Sequence, residues 1–369
     1  MTLDVINCIL SDIKGNNCVF VVGSHRNHQI ECQNHPLHMF IDRLEECQVQ
    51  PTKIHLHGLE AADLNTLISD ALGLFPRMSR ALSNIIQRKT EGNPFYVLEF
   101  LKSLVERNLL QYSLRERRWV WDAEKIESEQ ISENVSELLT RKFSSIPEER
   151  QRALHIVSCF GTSIGSDVVH AMSEVAEYSF LGRELEYAYS DGFMERDSPS
   201  GGYKFAHDKV REAAYGQMKE EDRNMLHHDI GVALLNKGEG LESDNMLFLC
   251  VDQLNRGQAM ISTPEEVLEA VKMNHGAASQ ALAACDFTAA LKYAKTALKL
   301  VGEGNQFADF KKILFVMANA AYSCGVYEEA SIAIDAILQD EVSLDEKFKF
   351  DVYDLKITMV SWHGANKRV

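Results

Sequence analysis

The segment Gly92-Asn93-Pro94 interrupts the chain between two helical patterns, one over about 78–89 and the other over about 95–106. A glycine just after a helix commonly takes the left-handed backbone conformation that other residues avoid. A proline is favoured in the first turn of a helix, because the N–H that it lacks would have no partner there. The sequence therefore predicts a tight corner between two helices, with Gly92 ending one and Pro94 starting the next.

Composition limits the class of protein. The chain has 369 residues, of which 45% are hydrophobic and 25% charged, and this length suits two or three domains of an ordinary globular protein. A net charge of −16 disfavours binding to nucleic acid and to anionic membranes. The sequence shows neither an apolar run of about 18 residues nor a signal-peptide pattern, so we expect a cytoplasmic protein.

The first sixty residues predict a partial α/β core. Cys18–Gly23 and Lys53–His57 are typical of buried strands, and the amphipathic pattern of 36–47 predicts a helix between them. A strand–helix–strand unit implies a parallel sheet, and such sheets bind ligands beyond the carboxyl ends of their strands. Arg26 follows the first strand closely and is therefore a candidate phosphate contact. The alternative is a solvated loop arginine.

Histidines and cysteines are dense in the same region, but they do not form a metal motif. The members are His25, His28, Cys32, His35 and His38. Their spacing matches no structural zinc site, and none of the eight cysteines in the chain belongs to a C-x-x-C pair. We therefore predict no metal site.

Residues 109–218 predict a β-hairpin followed by a winged-helix domain. The hairpin pairs 109–114 with 118–121, and short helices then lead to two strands around 192–196 and 203–206. Winged helices often bind DNA through their third helix, which here is 166–172 and contains no Lys or Arg. We therefore expect no binding of nucleic acid.

His207 and Asp208 stand at the start of a further predicted helix. Asp208 is of a residue type that is common at the N-cap. His207 either packs against the strand before it or contacts a ligand. A neutral imidazole donates one hydrogen bond and accepts another, and its ordinary pKa of about 6.5 allows it to protonate near a phosphate.

Two copies of a helical repeat occupy the last third of the chain. Asp286–Leu298 matches Val326–Leu338 at an offset of 40 residues, and a helix with small residues precedes each copy. Such TPR-like repeats stack on their neighbours and offer a surface for protein partners. A plain helical bundle is the alternative, because solenoids usually need three or more copies. The last residues show no capping helix, so a repeat stack that stopped there would expose apolar surface.

Three of these segments resemble the signal-transduction ATPases with numerous domains (STAND). These are AAA-related proteins of the kind fused to serine/threonine kinases, histidine kinases or nucleotide cyclases. Gly92-Asn93-Pro94-Phe95 resembles their lid signature, the strand that leads to Arg26 resembles their sensor-one segment, and Phe205–Tyr215 resembles their Phe-x-His-Asp-Arg-Val-x-Glu-Ala-Ala-Tyr motif. The resemblance covers about residues 1–235 by motif and the remainder by repeat style alone.

The resemblance implies a nucleotide-binding role for particular residues. Pro94 would lie against the adenine, with Gly92 and Asn93 forming the rest of this lid contact. Arg26 would sense the terminal phosphate. His207 would touch the β-phosphate of ADP and hold a closed state.

Two central parts of such an ATPase are missing from the sequence. A P-loop requires G-x-x-x-x-G-K-[ST], and no Gly-Lys pair occurs. The loose Walker B candidate Asp345-Glu346 lies far out of order. The resemblance therefore implies the C-terminal part of a module, starting just after Walker B, that is either truncated or degenerate. We expect no catalytic residue and no ATP hydrolysis by this chain alone, with ATP or ADP and Mg²⁺ bound tightly only in an intact module.

The predicted fold class is mainly α with a partial α/β core. We predict four domains: a partial AAA core over 1–60, a helical lid over 61–108, the hairpin and winged helix over 109–218, and a TPR-like arm over 219–369. The implied function is that of a nucleotide-controlled switch or scaffold in signalling. Its partners would be proteins bound by the arm, the missing half of the ATPase, or kinase or cyclase domains of a parent protein. The competing class is a non-catalytic protein-interaction module.

Overall fold

The computed structural model describes residues 2–11, 20–25, 35–47, 49, 51–128, 141–198, 201–236, 244–302, 309–339 and 344–366. The fold is mainly α with two small antiparallel sheets, which confirms the predicted class. The chain divides into two compact units, Met1–Glu129 and Gln130–Val369. The finer division into four domains stays a prediction.

The first unit contains helices and one hairpin. Its helices are α1 (Thr2–Ser11), α2 (Pro36–Glu46), α3 (Ala61–Leu72), α4 (Pro76–Thr90), α5 (Pro94–Glu106) and α6 (Ala123–Ser128). Strands β1 (Leu110–Ser113) and β2 (Arg118–Trp121) pair antiparallel, as the sequence predicted. Leu64, Ile68, Leu82, Ile86 and Leu104 are fully buried and form part of the core.

A buried polar cluster fixes α3 against α4. The side-chain oxygen of Asn65 accepts hydrogen bonds from the hydroxyls of Ser79 and Ser83, each at 2.9 Å. The amide of Asn65 donates to the carbonyl oxygen of Pro76, also at 2.9 Å. These bonds offset the cost of burying polar side chains and set the register of the two helices.

The predicted parallel strands are absent from the described residues 20–25 and 51–60, which have no regular secondary structure. Phe20 is 91% exposed and Leu56 is 92% exposed, whereas a central strand would be buried on both faces. A strand becomes stable when neighbours satisfy its backbone N–H and C=O groups. No strand among the described residues pairs with either segment.

The second unit begins with helices and a three-stranded sheet. After a helical turn at 141–145 come α7 (Glu148–Phe160), α8 (Ser166–Ser173), a 3₁₀ turn (Ala176–Tyr178) and α9 (Leu181–Ser190). Strands β3 (Ser163–Ile164), β4 (Met194–Arg196) and β5 (Tyr203–Phe205) form an antiparallel sheet in the order β3-β5-β4.

Strand β3 was not predicted, because two residues are too few to show an alternating pattern. Ser163 pairs with Lys204, and Ile164 pairs with Tyr203. A Cβ atom on Gly202 would overlap the carbonyl oxygen of Ile164, so only glycine permits this close approach of the two strands.

The remaining residues of the second unit are helical. The helices are α10 (Asp208–Gln217), α11 (Glu220–Asn236), α12 (Asp244–Arg256), α13 (Pro264–Ala283), α14 (Phe287–Val301), α15 (Phe310–Ser323), α16 (Tyr327–Leu338) and α17 (Glu346–Asn366). A 3₁₀ turn (Gln258–Met260) separates α12 from α13. Among the described residues, no helix has the length and apolar content needed to cross a bilayer.

The 40-residue repeat corresponds to two helix pairs, α13 with α14 and α15 with α16. The turn inside each pair has the same backbone hydrogen bonds. Asp286 N donates to Ala281 O at 2.9 Å in the first pair, and Val326 N donates to Ala321 O at 2.8 Å in the second. Alanines at the same offset, Ala290 and Ala330, are fully buried where the helices of a pair approach closely.

Candidate functional site

The Gly92-Asn93-Pro94 corner has the backbone that its sequence predicts. Glu91 and Gly92 are both left-handed, with φ of 51° and 73°, and they reverse the chain after α4. Asn93 is the N-cap of α5, and its side-chain oxygen accepts hydrogen bonds from Phe95 N at 3.1 Å and Tyr96 N at 3.4 Å. Pro94 is the first residue of α5 and is exposed.

The corner packs backbone to backbone against Gly58 and Leu59. Leu59 N donates to the carbonyl oxygen of Gly92 at 2.7 Å, and the side-chain amide of Gln87 donates to Leu59 O at 3.1 Å. A Cβ on Gly92 would overlap Leu59 O, and a Cβ on Gly58 would overlap the carbonyl oxygen of Glu91. The absence of two side chains therefore permits the contact, and the requirement at Gly58 was not predicted from the sequence.

The exposed side of the corner is an apolar surface. Pro94 is followed one turn later by Leu98, which is 53% exposed and lies on the same face of α5. The oxygen of Asn93 is used by the N–H groups of the helix. This face can support a flat apolar group.

His207, rather than Asp208, is the N-cap of α10. Its backbone is extended, and its Nδ1 accepts a hydrogen bond from Lys209 N at 3.1 Å. Nδ1 of histidine is as many bonds from Cα as the side-chain oxygen of Asn or Asp, so it can take the same capping role. Asp208 instead occupies the first turn, where a negative charge is favourable beside the helix dipole.

Capping by Nδ1 fixes the tautomer of the neutral His207 ring. Because Nδ1 accepts a hydrogen bond, the hydrogen of the neutral ring is on Nε2. His35 caps α2 in the same way, since its Nδ1 accepts from Leu37 N at 3.2 Å. Helix capping therefore explains one member of the histidine-rich tract without a metal.

Behind α10 lies a buried chain of hydrogen bonds that the sequence did not reveal. The side-chain amide of Gln253 donates to the carbonyl oxygen of Cys159 at 3.1 Å, which leaves its oxygen to accept from Nδ1 of His227 at 2.6 Å. Nε2 of His227 must then accept, and the hydroxyl of Tyr215 donates to it at 3.0 Å. This series of hydrogen bonds links α10, α11, α12 and the end of α7.

The surroundings of His227 disfavour the protonated form of its ring. The ring is 1% exposed, and its burial lowers its pKa. The positive charges of Arg256 and Arg223 lower the pKa further, while the hydrogen bond to Gln253 raises it. Arg256 also donates to Cys159 O at 2.9 Å. The hydrogen-bonded network therefore joins the end of α7 to α10, α11 and α12 around a buried imidazole.

The described residues do not unite the three predicted nucleotide contacts. Arg26 lies outside them, Pro94 belongs to the first unit and His207 to the second. Their meeting at one nucleotide stays a prediction. Among the described residues no group of His, Cys, Asp or Glu could hold a metal ion, and His28 and Cys32 lie outside that part of the chain.

Comparison with known proteins gives one relevant similarity. The chain is 24% identical over 308 residues to hybrid signal transduction histidine kinase G of Dictyostelium discoideum, and the match covers 70% of this chain. The match spans only 9% of that protein's length. No family model and no solved structure matches. The chain is thus distantly similar to a signal-transduction protein.

Proposed function

We propose that this chain is part of a STAND-type, nucleotide-controlled switch or scaffold in signalling. The observation that carries the proposal is the geometry of His207. Its Nδ1 is used in capping α10, so the hydrogen of the neutral ring is on Nε2 at the N-terminus of a ten-residue helix. A hydrogen-bond donor and the positive end of a helix dipole both favour an anion.

The roles in this proposal follow the chemistry of a nucleoside diphosphate. Pro94, held by Gly92 and Asn93, supplies an apolar surface for adenine. Arg26 and His207 supply positive charge and a donor for the phosphates. The sequence has no Gly-Lys pair and hence no P-loop, so we propose weak binding of ADP or ATP and no hydrolysis by this chain alone. Tight binding with Mg²⁺ would require an intact module.

We also propose that the segment from α7 to β5 is a winged helix that does not bind DNA. The order of its elements and the sheet order β3-β5-β4 support the first part. The second part is supported by α8, Ser-Asp-Val-Val-His-Ala-Met-Ser, which contains no Lys or Arg.

The test is a titration of the purified chain with ADP, adenosine and pyrophosphate, followed by NMR or by a fluorescent ADP analogue. We expect ADP to bind with a Kd on the order of 0.1–1 mM, equivalent to about −5.5 to −4 kcal/mol. Pro94→Ala should weaken adenosine binding but not pyrophosphate binding, and Arg26→Gln should do the reverse.

Two substitutions at His207 separate helix capping from ligand binding. Ser keeps a capping oxygen but has no second polar atom equivalent to Nε2, whereas Ala removes both. We expect His207→Ser to keep the melting temperature and to lose pyrophosphate binding. Three results would contradict the proposal. The first is steady ATP turnover by the chain, and the second is an NMR or fluorescence signal that does not change with ADP up to tens of millimolar. The third is unchanged pyrophosphate binding by the His207→Ser variant.

The second candidate function is that of a protein-interaction module. The helix pairs of the repeat and an uncovered apolar face on α17 favour it. A chain that binds a protein helix but no nucleotide would support this candidate over the first.

A further inference from the structure

The helix α10 has the candidate ligand contact at its first turn and a buried hydrogen bond at its last. His207 caps the first turn, and the hydroxyl of Tyr215 donates to Nε2 of His227 on α11 at 3.0 Å. A rise of 1.5 Å per residue separates the positions of His207 and Tyr215 along the helix axis by about 12 Å. Because the helix between them is continuous, a displacement of Tyr215 also displaces His207.

Two kinds of contact hold α10 in place. Val210 and Ala214 are buried, and α10 packs against α7. Apolar burial has no direction, so by itself it permits a helix to slide or to turn slightly. The bond from Tyr215 to His227 is directional, because a hydrogen bond weakens steeply as it departs from its preferred distance and angle. This bond therefore fixes the rotation and the axial position of α10.

The acceptor of this bond is held from its other side by Gln253. The side-chain amide of Gln253 donates to Cys159 O at 3.1 Å, so its oxygen faces His227 and accepts from Nδ1 at 2.6 Å. If the amide group of Gln253 were turned over, two carbonyl oxygens would face each other at Cys159. The contact with Cys159 therefore determines which nitrogen of His227 remains to accept from Tyr215.

The helix of Gln253, α12, is also part of the core of the first repeat pair. A Cβ atom on Gly231 of α11 would lie 2.7 Å from the side chain of Leu254, so α11 and α12 pack at close range. Val251, also on α12, shares a core with Val271 of α13 and Ala294 of α14. Tyr215, His227 and Gln253 thus connect α10 to the helices that begin the repeat.

We propose that Tyr215, His227 and Gln253 are positioning residues for His207, and that anion binding at His207 and the contact of α12 with Cys159 stabilise each other. While their hydrogen bonds are all made, α10 is held where Nε2 of His207 can donate to an anion. An anion bound there favours the arrangement that holds α10, and by linkage this arrangement strengthens anion binding by the same factor. The inference rests on the proposed function, because it takes His207 as an anion contact.

The competing arrangement is one in which α12 separates from the end of α7. Gln253 and Arg256 both donate to Cys159 O, and both bonds are then lost. The amide of Gln253 becomes able to turn over and donate to Nδ1 of His227, so the ring releases its proton from Nδ1 and takes one up at Nε2. The ring stays neutral, but Nε2 now donates to Tyr215 and no longer accepts its hydroxyl hydrogen. Because that hydrogen has lost its acceptor, α10 is held less firmly.

The test is a titration of the full chain with pyrophosphate, followed by NMR of the imidazole N–H groups. His227 is 1% exposed, so pyrophosphate does not touch its ring, and a change in its signal must be transmitted through the protein. We expect the Nδ1–H signal of His227 to shift with the same Kd as the signal of His207. Hydrogen exchange of α12, measured in parallel, should become slower when pyrophosphate is bound.

Two substitutions interrupt the hydrogen bonds from opposite sides. Tyr215→Phe removes the hydroxyl on α10, and Gln253→Met removes the amide on α12. We expect each to weaken pyrophosphate binding at least about fivefold, the lower end of the usual coupling between two sites. The matched control is Tyr293→Phe, because Tyr293 is 4% exposed and its hydroxyl donates to Asp252 of α12 at 3.3 Å. This control also loses a buried hydrogen bond to α12, but it should bind pyrophosphate as the unaltered chain does.

The outcomes separate this inference from the proposed function. If His207→Ser loses pyrophosphate binding but Tyr215→Phe keeps it, the inference is wrong and the proposed function stands. If only Tyr215→Phe and not Gln253→Met weakens binding, α12 takes no part and the proposed coupling is wrong. Equal weakening by Tyr293→Phe would also overturn the inference, because a general loss of stability would then explain the effect. A lack of pyrophosphate binding by the unaltered chain would overturn both proposals.

Discussion

Cys285 and Gly325 occupy equivalent left-handed positions in the two repeat turns, with φ of 60° and 78°. In both turns the following residue donates a hydrogen bond to the carbonyl oxygen five residues earlier, at 2.9 Å and 2.8 Å. The turn therefore requires positive φ at this position, and only the second copy meets the requirement with glycine.

Replacing Cys285 with glycine should stabilise the chain. A residue with a Cβ atom costs about 1–2 kcal/mol in the left-handed conformation, and the greater freedom of glycine in the unfolded chain offsets part of this gain. We expect Cys285→Gly to raise the free energy of unfolding by about 0.5–1 kcal/mol in urea denaturation. Cys324→Gly is the control, because Cys324 is also exposed but has an ordinary φ of −81°. A Cys285→Gly variant no more stable than the Cys324→Gly variant would contradict this account.

Gly92→Ala should destabilise the first unit more than Gly73→Ala. Both glycines have positive φ, at 73° and 62°, so both substitutions add the left-handed cost of about 1–2 kcal/mol. A Cβ at Gly73 meets nothing within 4 Å, whereas one at Gly92 overlaps Leu59 O and lies 2.9 Å from Leu59 N. We expect an additional loss of about 1–3 kcal/mol for Gly92→Ala, measured by urea denaturation. Equal losses in the two variants would show that the contact with Leu59 is absent.

Tyr215→Phe should weaken the second unit, because it leaves Nε2 of the buried His227 without its donor. Leaving a buried acceptor unsatisfied costs about 1–3 kcal/mol. Tyr112→Phe is the control, since Tyr112 is 51% exposed and its ring contact with Trp119 remains. The measurement is urea denaturation of both variants, followed by near-UV circular dichroism. If the Tyr215→Phe variant were as stable as the Tyr112→Phe variant, the hydrogen bond from Tyr215 to His227 would make no contribution to stability.

Stability should fall as the pH is lowered from about 7.5 to 5.5. Burial lowers the pKa of His155, His227 and His275 in the folded chain below the value of about 6.5 expected when unfolded. The unfolded chain therefore binds protons first, and the stability present above about pH 6.5 is lost below it, down to the folded pKa values. Backbone hydrogen bonds lower the pKa of the Glu266 carboxyl, so its protonation would reduce stability only at a lower pH than this range.

The pH prediction is measured as the urea midpoint at pH 7.5, 6.5 and 5.5. The chain has a net charge of −16, and protonation at lower pH would also reduce the repulsion among its negative charges. About 150 mM salt screens this repulsion, so that the effect of the histidines can be measured. His275→Gln should make the decrease smaller. A midpoint that stays constant or rises toward pH 5.5 would contradict the prediction.

Features that depend on neighbouring residues in the chain were predictable. The corner at Gly92-Asn93-Pro94, the β-hairpin and the offset of the repeat all follow from turn residues, caps and side-chain spacing. His207 shows where this reasoning becomes ambiguous, because two adjacent residues were both able to cap α10. Residue statistics favour Asp208, but the N-cap is His207, whose backbone is extended with φ of −155° and ψ of 146°.

The sequence by itself determined which segments form helices and which of their faces are apolar, because these properties depend on side-chain spacing and backbone preferences within a few residues. Only the tertiary structure decided whether an apolar segment is buried or paired with another element. Phe20 and Leu56 lie in strand-like sequences without a paired strand among the described residues, and Ile357 has the pattern of a buried residue on an uncovered face. The bond between His227 and Gln253 was equally unpredictable, since it joins side chains 26 residues apart on two helices. Burial and pairing are properties of neighbours that come from distant parts of the chain, and no local pattern specifies them.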